Sequence, residues 1–194
     1  MKQVSCSHGP TNDYILTSPI GTILVKSCPS GLHSVCQTED ITDATFEPDK
    51  SLQVRVLEQK YQDNGYTYKP ALSCVEWLNS YFHEPERLKR LQRPALCKST
   101  KVSKDTFRGL VWTTLSESVS FGETISYGAL ATLCSRTRAA QAVGTALSCN
   151  PVQILVPCHR VVKSNGENGH YSGGRRDAVK TWLLEHEKGG LQMT

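Results

Sequence analysis

The stretch from residue 84 to residue 104 most limits what this chain can fold into. It is rich in Pro, Lys and Arg and carries no apolar repeat at helix or strand spacing, so it cannot contribute a core face. In a chain of 194 residues, such a break points to two small cores on either side of it. The expected domains are 1–97 and 98–194. Residues 1–97 hold 10 basic and 11 acidic side chains and residues 98–194 hold 12 and 7, net charges of −1 and +5. A basic half suits a polyanionic partner, but an ordinary solvated surface explains it as well.

The N-terminal half reads as α+β. Tyr14–Ser18 and Thr22–Val25 have strand character and flank a turn at Pro19-Ile20-Gly21, and Leu32–Gln37 is a third strand. The acidic stretch Glu39–Lys50 reads as a loop. Ala71, Cys74, Val75, Leu78, Tyr81 and Phe82 recur at helical spacing, which predicts a helix over Pro70–Phe82 with Pro70 in its first turn. The C-terminal half is mostly helical. A helix begins near Phe107, two short ones follow over 127–135 and 138–148, and Ile154-Leu155-Val156 is a buried strand or core segment. After a Gly-rich loop at 165–174, a last helix runs from Asp177 to a stop at Gly189-Gly190.

No apolar run reaches the ~18 residues a membrane span needs. The N-terminus lacks the apolar core of a signal peptide. These features predict an intracellular protein without membrane association, and its eight Cys, irregularly spaced, are expected to be reduced.

The two short helices match a helix-turn-helix. Leu130, Leu133 and Cys134 of the first can face a core, and Ala139, Ala142, Val143, Ala146 and Leu147 of the second form an apolar stripe. Arg138, Gln141 and Thr145 then point outward. Small residues such as Ala139, Ala140 and Gly144 let the backbone approach a partner closely, even in a narrow groove. A helical hairpin used only as core fits the same pattern.

Val156-Pro157-Cys158-His159-Arg160-Val161 sets polar groups in a run that a plain core strand does not need. The thiolate is the reactive form of Cys, and a free thiol with a pKa of about 8.5 holds only a few per cent of it near neutrality. A neighbouring His oriented by a carboxylate raises that fraction. Glu185 and Glu187, at the end of the last helix, are both available, and spacing does not choose between them. Such a relay also fits a cysteine hydrolase.

More specific runs surround it: Pro157-Cys158-His159-Arg160-Val161-Val162, Asn165-Gly166, Tyr171-Ser172-Gly173-Gly174, Phe121 to Tyr127, Cys149-Asn150-Pro151-Val152, and Val179 to Leu184. In this order the chain resembles the O6-alkylguanine-DNA alkyltransferase family, eukaryotic type, over essentially all of 107–188. Ser18-Pro19-Ile20-Gly21 and Glu76 to Phe82 extend the resemblance more loosely into the N-terminal half.

The resemblance implies an α+β fold of two domains. The first would be a small antiparallel sheet with a helix, ribonuclease H-like; the second a mostly helical, winged helix-turn-helix-like domain. It implies DNA repair by direct reversal: irreversible, single-turnover transfer of a methyl or alkyl group from O6 of guanine, less well from O4 of thymine, to Cys158. His159 would be the base acting through a water, Glu187 its orienter, and Tyr127 a donor to the departing guanine. The backbone of Cys158 and Val161 would read the guanine amino group, Ser172 would contact O6, Tyr171 would line the pocket and Asn150 would brace the turn before it. Gln141, Arg138, Ala140, Thr145 and Arg160 complete the expected DNA-contacting set.

The implied partner is double-stranded DNA, bound in the minor groove with the target base flipped out. The protein would be a nuclear monomer, with or without cooperativity along DNA. The resemblance also implies structural zinc on Cys6, Cys28, His33 and Cys97, with Cys97 in place of the family's His, and no organic cofactor. A second departure is Gln141, where the family carries Arg. A non-catalytic binder of alkylated DNA is the competing reading, although such proteins replace the acceptor Cys that this chain keeps.

Overall fold

The computed structural model describes residues 5–61, 67–100 and 105–191. The chain forms two compact units, Met1–Ile41 with Phe46–Lys101, and Thr42–Thr45 with Val102–Thr194.

In the first unit, β1 (Ser5–Cys6) and β2 (Gly9–Pro10) pair as a short hairpin. β3 (Asn12–Thr17), β4 (Ile23–Cys28), β5 (Gly31–Gln37) and β6 (Arg55–Gln59) form an antiparallel sheet in the order β5-β4-β3-β6. The alternation of side chains along a strand sends Tyr14, Leu16, Ile23, Val25 and Val35 inward, and each is buried. The expected turn closes β3 onto β4. Its Gly21 has φ +92°, a left-handed conformation that a side chain would strain, and its N–H donates to Ser18 O. Helix α1 (Lys69–His83) starts with Pro70 in its first turn and buries Ala71, Cys74, Trp77, Leu78, Tyr81 and Phe82. Asn79 on α1 is bonded both ways to the Val54 backbone, accepting from N at 2.8 Å and donating to O at 2.7 Å.

The second unit contains α2 (Phe107–Ser118), β7 (Ile125–Ser126), α3 (Tyr127–Leu133), α4 (Ala140–Ser148), β8 (Val161–Val162) and α5 (Asp177–Leu191). Thr106 and Ser126 cap α2 and α3 through their hydroxyls. α2, α3 and α4 pack on one another, and the Trp112 indole of α2 donates to Ala146 O of α4 at 2.9 Å. β7 and β8 pair in parallel, Ile125 opposite Val161, which brings the start of α3 beside the Cys-His-Arg turn.

Several expectations need correction. α4 begins at Ala140; Arg138, with φ +71°, lies in the turn before it and so is not on the helix face. Leu133 is 52% exposed, because the seven-residue α3 turns only Leu130 and Ala131 inward, and Ala142 is exposed because α4 packs only Val143, Ala146 and Leu147 inward. Of the two readings of Ile154-Leu155-Val156, the buried core segment holds and the strand does not: Ile154 has φ +69° and the segment turns on itself through a Gln153–Val156 bridge. α5 continues through Gly189-Gly190 to Leu191. β6 was not anticipated, since four of its five residues are exposed and leave no alternating pattern.

Candidate functional site

Cys158, His159 and Arg160 make one tight 3-10 turn, with all three side chains buried. Below the turn lies Glu187. Spacing left Glu185 and Glu187 open; on α5, Glu185 faces solvent and Glu187 is 1% exposed. Its Oε1 accepts from His159 Nε2 at 2.7 Å and Arg160 Nη2 at 3.0 Å, and its Oε2 from Arg160 Nε at 2.8 Å and Gly122 N at 2.9 Å. Burial alone raises the pKa of a carboxyl, but the His159 and Arg160 contacts outweigh it and hold Glu187 well below the usual carboxylate range.

The Glu187 charge is balanced by Arg160, which also donates to Val119 O at 2.8 Å. His159 is therefore kept neutral: burial lowers its pKa despite the carboxylate beside it. With Nε2–H donated to Glu187, its lone pair sits on Nδ1, as a general base requires. Arg160 was expected to contact DNA. At 4% exposure, with its guanidinium committed to Glu187 and Val119, it is instead an internal counter-ion.

Cys158 reaches a cavity of about 410 Å³. Tyr127 of α3, Ala140, Gln141 and Gly144 of α4, Asn150, Gln153, Lys163, His170, Tyr171 and Ser172 share its wall. Gln141 and Thr145 are exposed on α4, and Arg138 is exposed before it; neither Arg138 nor Thr145 reaches the cavity. Val161 is buried and is not among the residues that line the cavity; its N–H donates to Cys158 O and its carbonyl accepts from Lys180 Nζ.

Two contacts were missed in the sequence. Asn150 braces its turn as expected, accepting from Val152 N at 3.0 Å and donating to Val156 O at 2.9 Å, but its Nδ2 also donates to Cys158 Sγ at 3.1 Å. The second is Lys180. It is 1% exposed, and its Nζ donates to Val161 O at 2.7 Å. It sits on α5 one face-repeat before Leu183 and two before Glu187, a polar interruption of the inward stripe that periodicity could have flagged. Burial pushes its pKa down to about 8, opposed by the charges of Cys158 and Asp177.

Burial also pushes the Cys158 thiol up, opposed by the Asn150 hydrogen bond, the Lys180 charge and a Tyr171 contact. The resting thiol is therefore protonated, within an environment that favours the thiolate once a proton acceptor is in place. Burial likewise raises Tyr127, followed by the charges of Cys158 and Asp177, which keeps its phenol protonated.

In the first unit, Cys6, Cys28, His33 and Cys97 bring four ligand atoms within 4.8 Å of one another. They come from β1, the end of β4, β5 and the segment after α1. Cys97 is held by a bridge between Leu32 and Leu96, with Cys97 N donating to Leu32 O at 2.9 Å. Gly31 permits this approach, since a Cβ there would lie 2.4 Å from Cys97 N. His33 Nε2 is buried without a hydrogen-bond partner, as suits a nitrogen aimed at a metal. Three thiols and one imidazole at this spacing fit a tetrahedral zinc. All eight cysteines are free thiols.

Residues 106–189 match the family model described as the DNA-binding domain of 6-O-methylguanine DNA methyltransferase. The methylated-DNA–protein-cysteine methyltransferase of Mus musculus is 42% identical over 173 residues, 89% of this chain and 79% of its own length. The human protein of the same name is 41% identical over 172 residues, 89% and 78% of the two chains. Among solved structures, the Mycobacterium tuberculosis OGT in complex with DNA superposes with a TM-score of 0.62 at 29% identity, covering 90% of this chain and 91% of that one. With that breadth of identity to named relatives, the chain belongs to the methylated-DNA–protein-cysteine methyltransferase family.

Proposed function

We infer that the chain repairs O6-alkylguanine in double-stranded DNA by moving the alkyl group onto Cys158. One observation carries this reading: a buried thiol reaches an open cavity, with Asn150 bonded to its sulfur and a neutral His159 and Glu187 directly behind it. A water between His159 Nδ1 and the thiol relays the thiol proton to Nδ1 as the base enters. The thiolate attacks the alkyl carbon, an S–C bond forms, and the C–O6 bond breaks with its electron pair passing to the guanine. Tyr127 donates its phenolic hydrogen to the guanine as that charge develops, and the proton held on His159 then returns to the Tyr127 phenolate, which leaves both side chains neutral. The products are an S-alkyl cysteine and guanine. Cellular thiols do not reopen a thioether as they do a disulfide, so each molecule acts once.

The backbone carbonyls of Cys158 and Val161 read the guanine amino group. Each already accepts one hydrogen bond, from Val161 N and Lys180 Nζ respectively, and each keeps a second lone pair. Ser172 contacts O6 and Tyr171 lines the pocket. A pocket this deep takes a base only after it has left the stack, so the nucleotide is flipped through the minor groove, with α4 as the recognition helix and Ala140 at its start. O4-alkylthymine is a poorer substrate of the same pocket.

The unit of Val102–Thr194 with Thr42–Thr45 is the winged helix-turn-helix-like catalytic domain. The other unit is the ribonuclease H-like domain, held by structural zinc on Cys6, Cys28, His33 and Cys97, which supplies folding energy and no chemistry. The protein acts as a monomer, and a eukaryotic-type enzyme of this kind works in the nucleus, where its DNA is. Zinc assay of protein purified without added metal should give about one equivalent; near zero defeats the metal assignment.

The deciding experiment is intact-mass analysis after incubation with duplex bearing O6-methylguanine. A gain of one methyl on Cys158, absent in Cys158→Ala, is the expected result. Lesion binding with no mass gain would instead favour a non-catalytic lesion binder, and ester or amide turnover a thiol hydrolase.

A further inference from the structure

We propose that Lys163 grips a DNA phosphate at the pocket mouth and is held in reserve for that task by Glu167. This deepens the reading of the cavity as the seat of a flipped nucleotide and rests on it. A base that enters the cavity leaves its sugar-phosphate at the rim, so a cation on the rim meets backbone phosphate. Lys163 follows β8 and lines the cavity. Its Cγ and the Tyr127 hydroxyl each lie 3.6 Å from the point where a Cβ on Gly169 would sit, so its stem stands on the Tyr127 side of the mouth. Gln141, which carries no charge, also lines the cavity, on α4.

Lys163 Nζ is paired with Glu167 Oε2 at 2.7 Å, and the two side chains are 52% and 60% exposed. An ion pair so exposed contributes little, so exchanging the carboxylate for a phosphate costs little. The turn does not depend on that pair for its shape. Lys163 N donates to Glu167 O at 2.8 Å, Gly166 N to Lys163 O at 3.0 Å, and Glu167 N to Asn165 Oδ1 at 3.1 Å, with Gly166 at φ +86°. The neighbouring pair, His170 with Asp177 at 2.8 Å, is different: Asp177 also accepts from Tyr171 N at 2.7 Å and so anchors the loop. Lys163 is therefore the rim cation that is free to change partner.

The test is duplex affinity against salt, on O6-methylguanine duplex and its undamaged counterpart, for the parent, Lys163→Gln, Lys163→Arg and Glu167→Gln. Lys163→Gln should bind more weakly at low salt, with the slope of log K against log salt reduced by about 0.9, so that it loses roughly 3.5-fold less affinity between about 50 and 200 mM. Lys163→Arg should keep the parental slope. Glu167→Gln should bind roughly threefold more tightly, because the lysine no longer has to leave a carboxylate. An unchanged slope in Lys163→Gln, or weaker binding in both Gln variants alike, overturns the proposal; the latter would make the pair purely structural. Failure of the underlying reading shows separately, as absence of the methyl mass gain on Cys158 in the parent.

Discussion

Lys180→Met separates stability from reactivity. The lysine is buried at 1% exposure, and its pKa falls from 10.5 to about 8 in the folded protein. A fall of that size corresponds to about 3 kcal/mol of folding free energy spent keeping the ammonium charged at neutral pH. The sign follows from proton counting. Between about pH 8 and 10.5 the unfolded chain binds the proton and the folded chain does not, so this group's contribution to stability rises with pH across that window. Methionine fills a similar volume and removes the charge, but it leaves Val161 O without the Lys180 hydrogen bond, a loss of about 1–3 kcal/mol. The balance at pH 7 is a variant as stable as the parent or more so, by up to roughly 2 kcal/mol. Reactivity should move the other way. The Lys180 charge favours the Cys158 thiolate, so its removal should slow methyl transfer roughly tenfold or more and shift the pH–rate profile to higher pH. Urea unfolding at pH 7 and 9.5 with single-turnover transfer kinetics measures both. A variant that is clearly less stable at pH 7, or that transfers methyl at the parental rate, would refute the assignment of Lys180 as an electrostatic partner of Cys158.

Glu187→Gln leaves Arg160 buried without its counter-ion and should cost about 3–5 kcal/mol in urea unfolding at pH 7. Because the Glu187 pKa is depressed on folding, its stabilisation is present above the ordinary carboxyl range and is lost as pH falls toward the folded value, so the parent should lose stability on acidification by a component that the Gln variant lacks. Gln141→Arg adds a cation on α4 and should tighten duplex binding and steepen its salt slope by about 1, with a smaller effect on free O6-alkylguanine; equal duplex rates and affinities for variant and parent contradict this. Gly31→Ala forces a methyl to within 2.4 Å of Cys97 N, so the backbone must shift by a cost of about 1–3 kcal/mol. Its zinc content and melting temperature should both fall, and full retention of each would show that the Cys97 segment tolerates the displacement.

The sheet and α1 were legible because their burial follows period two and period 3.6 cleanly, as Tyr14 and Leu16 on β3 and Cys74 and Leu78 on α1 illustrate. β6 was not, since a mostly exposed strand carries no periodic signal. In the site, Cys158, His159, Tyr127 and Asn150 stand in runs dense enough to be singled out by eye, and the structure brings them together with Glu187. Which of two glutamates faces inward depends on the rotation of α5, which a run ending in Gly-Gly leaves undetermined. Arg160 was misplaced for a related reason. A guanidinium near a proposed DNA site reads as a phosphate ligand, and only the fold reveals a buried carboxylate between it and His159. Lys180 was overlooked inside an otherwise regular helical run.

The segment Thr42–Thr45 belongs to the second compact unit although it lies within the first half of the chain. Asp43 N donates to Arg175 O at 3.0 Å, and Asp43 Oδ1 accepts from Ala178 N at 2.7 Å, which satisfies an amide at the head of α5 across 135 residues of sequence. The helix that carries Lys180 and Glu187 is thus pinned by a loop synthesised long before it. A fragment cut in the linker near residue 100 would carry Tyr127, Cys158, His159 and Glu187 yet lack this anchor. During synthesis the contact must wait until Ala178 has left the ribosome, so the anchoring of the helix behind Cys158 is delayed until 135 residues after Asp43 have followed it.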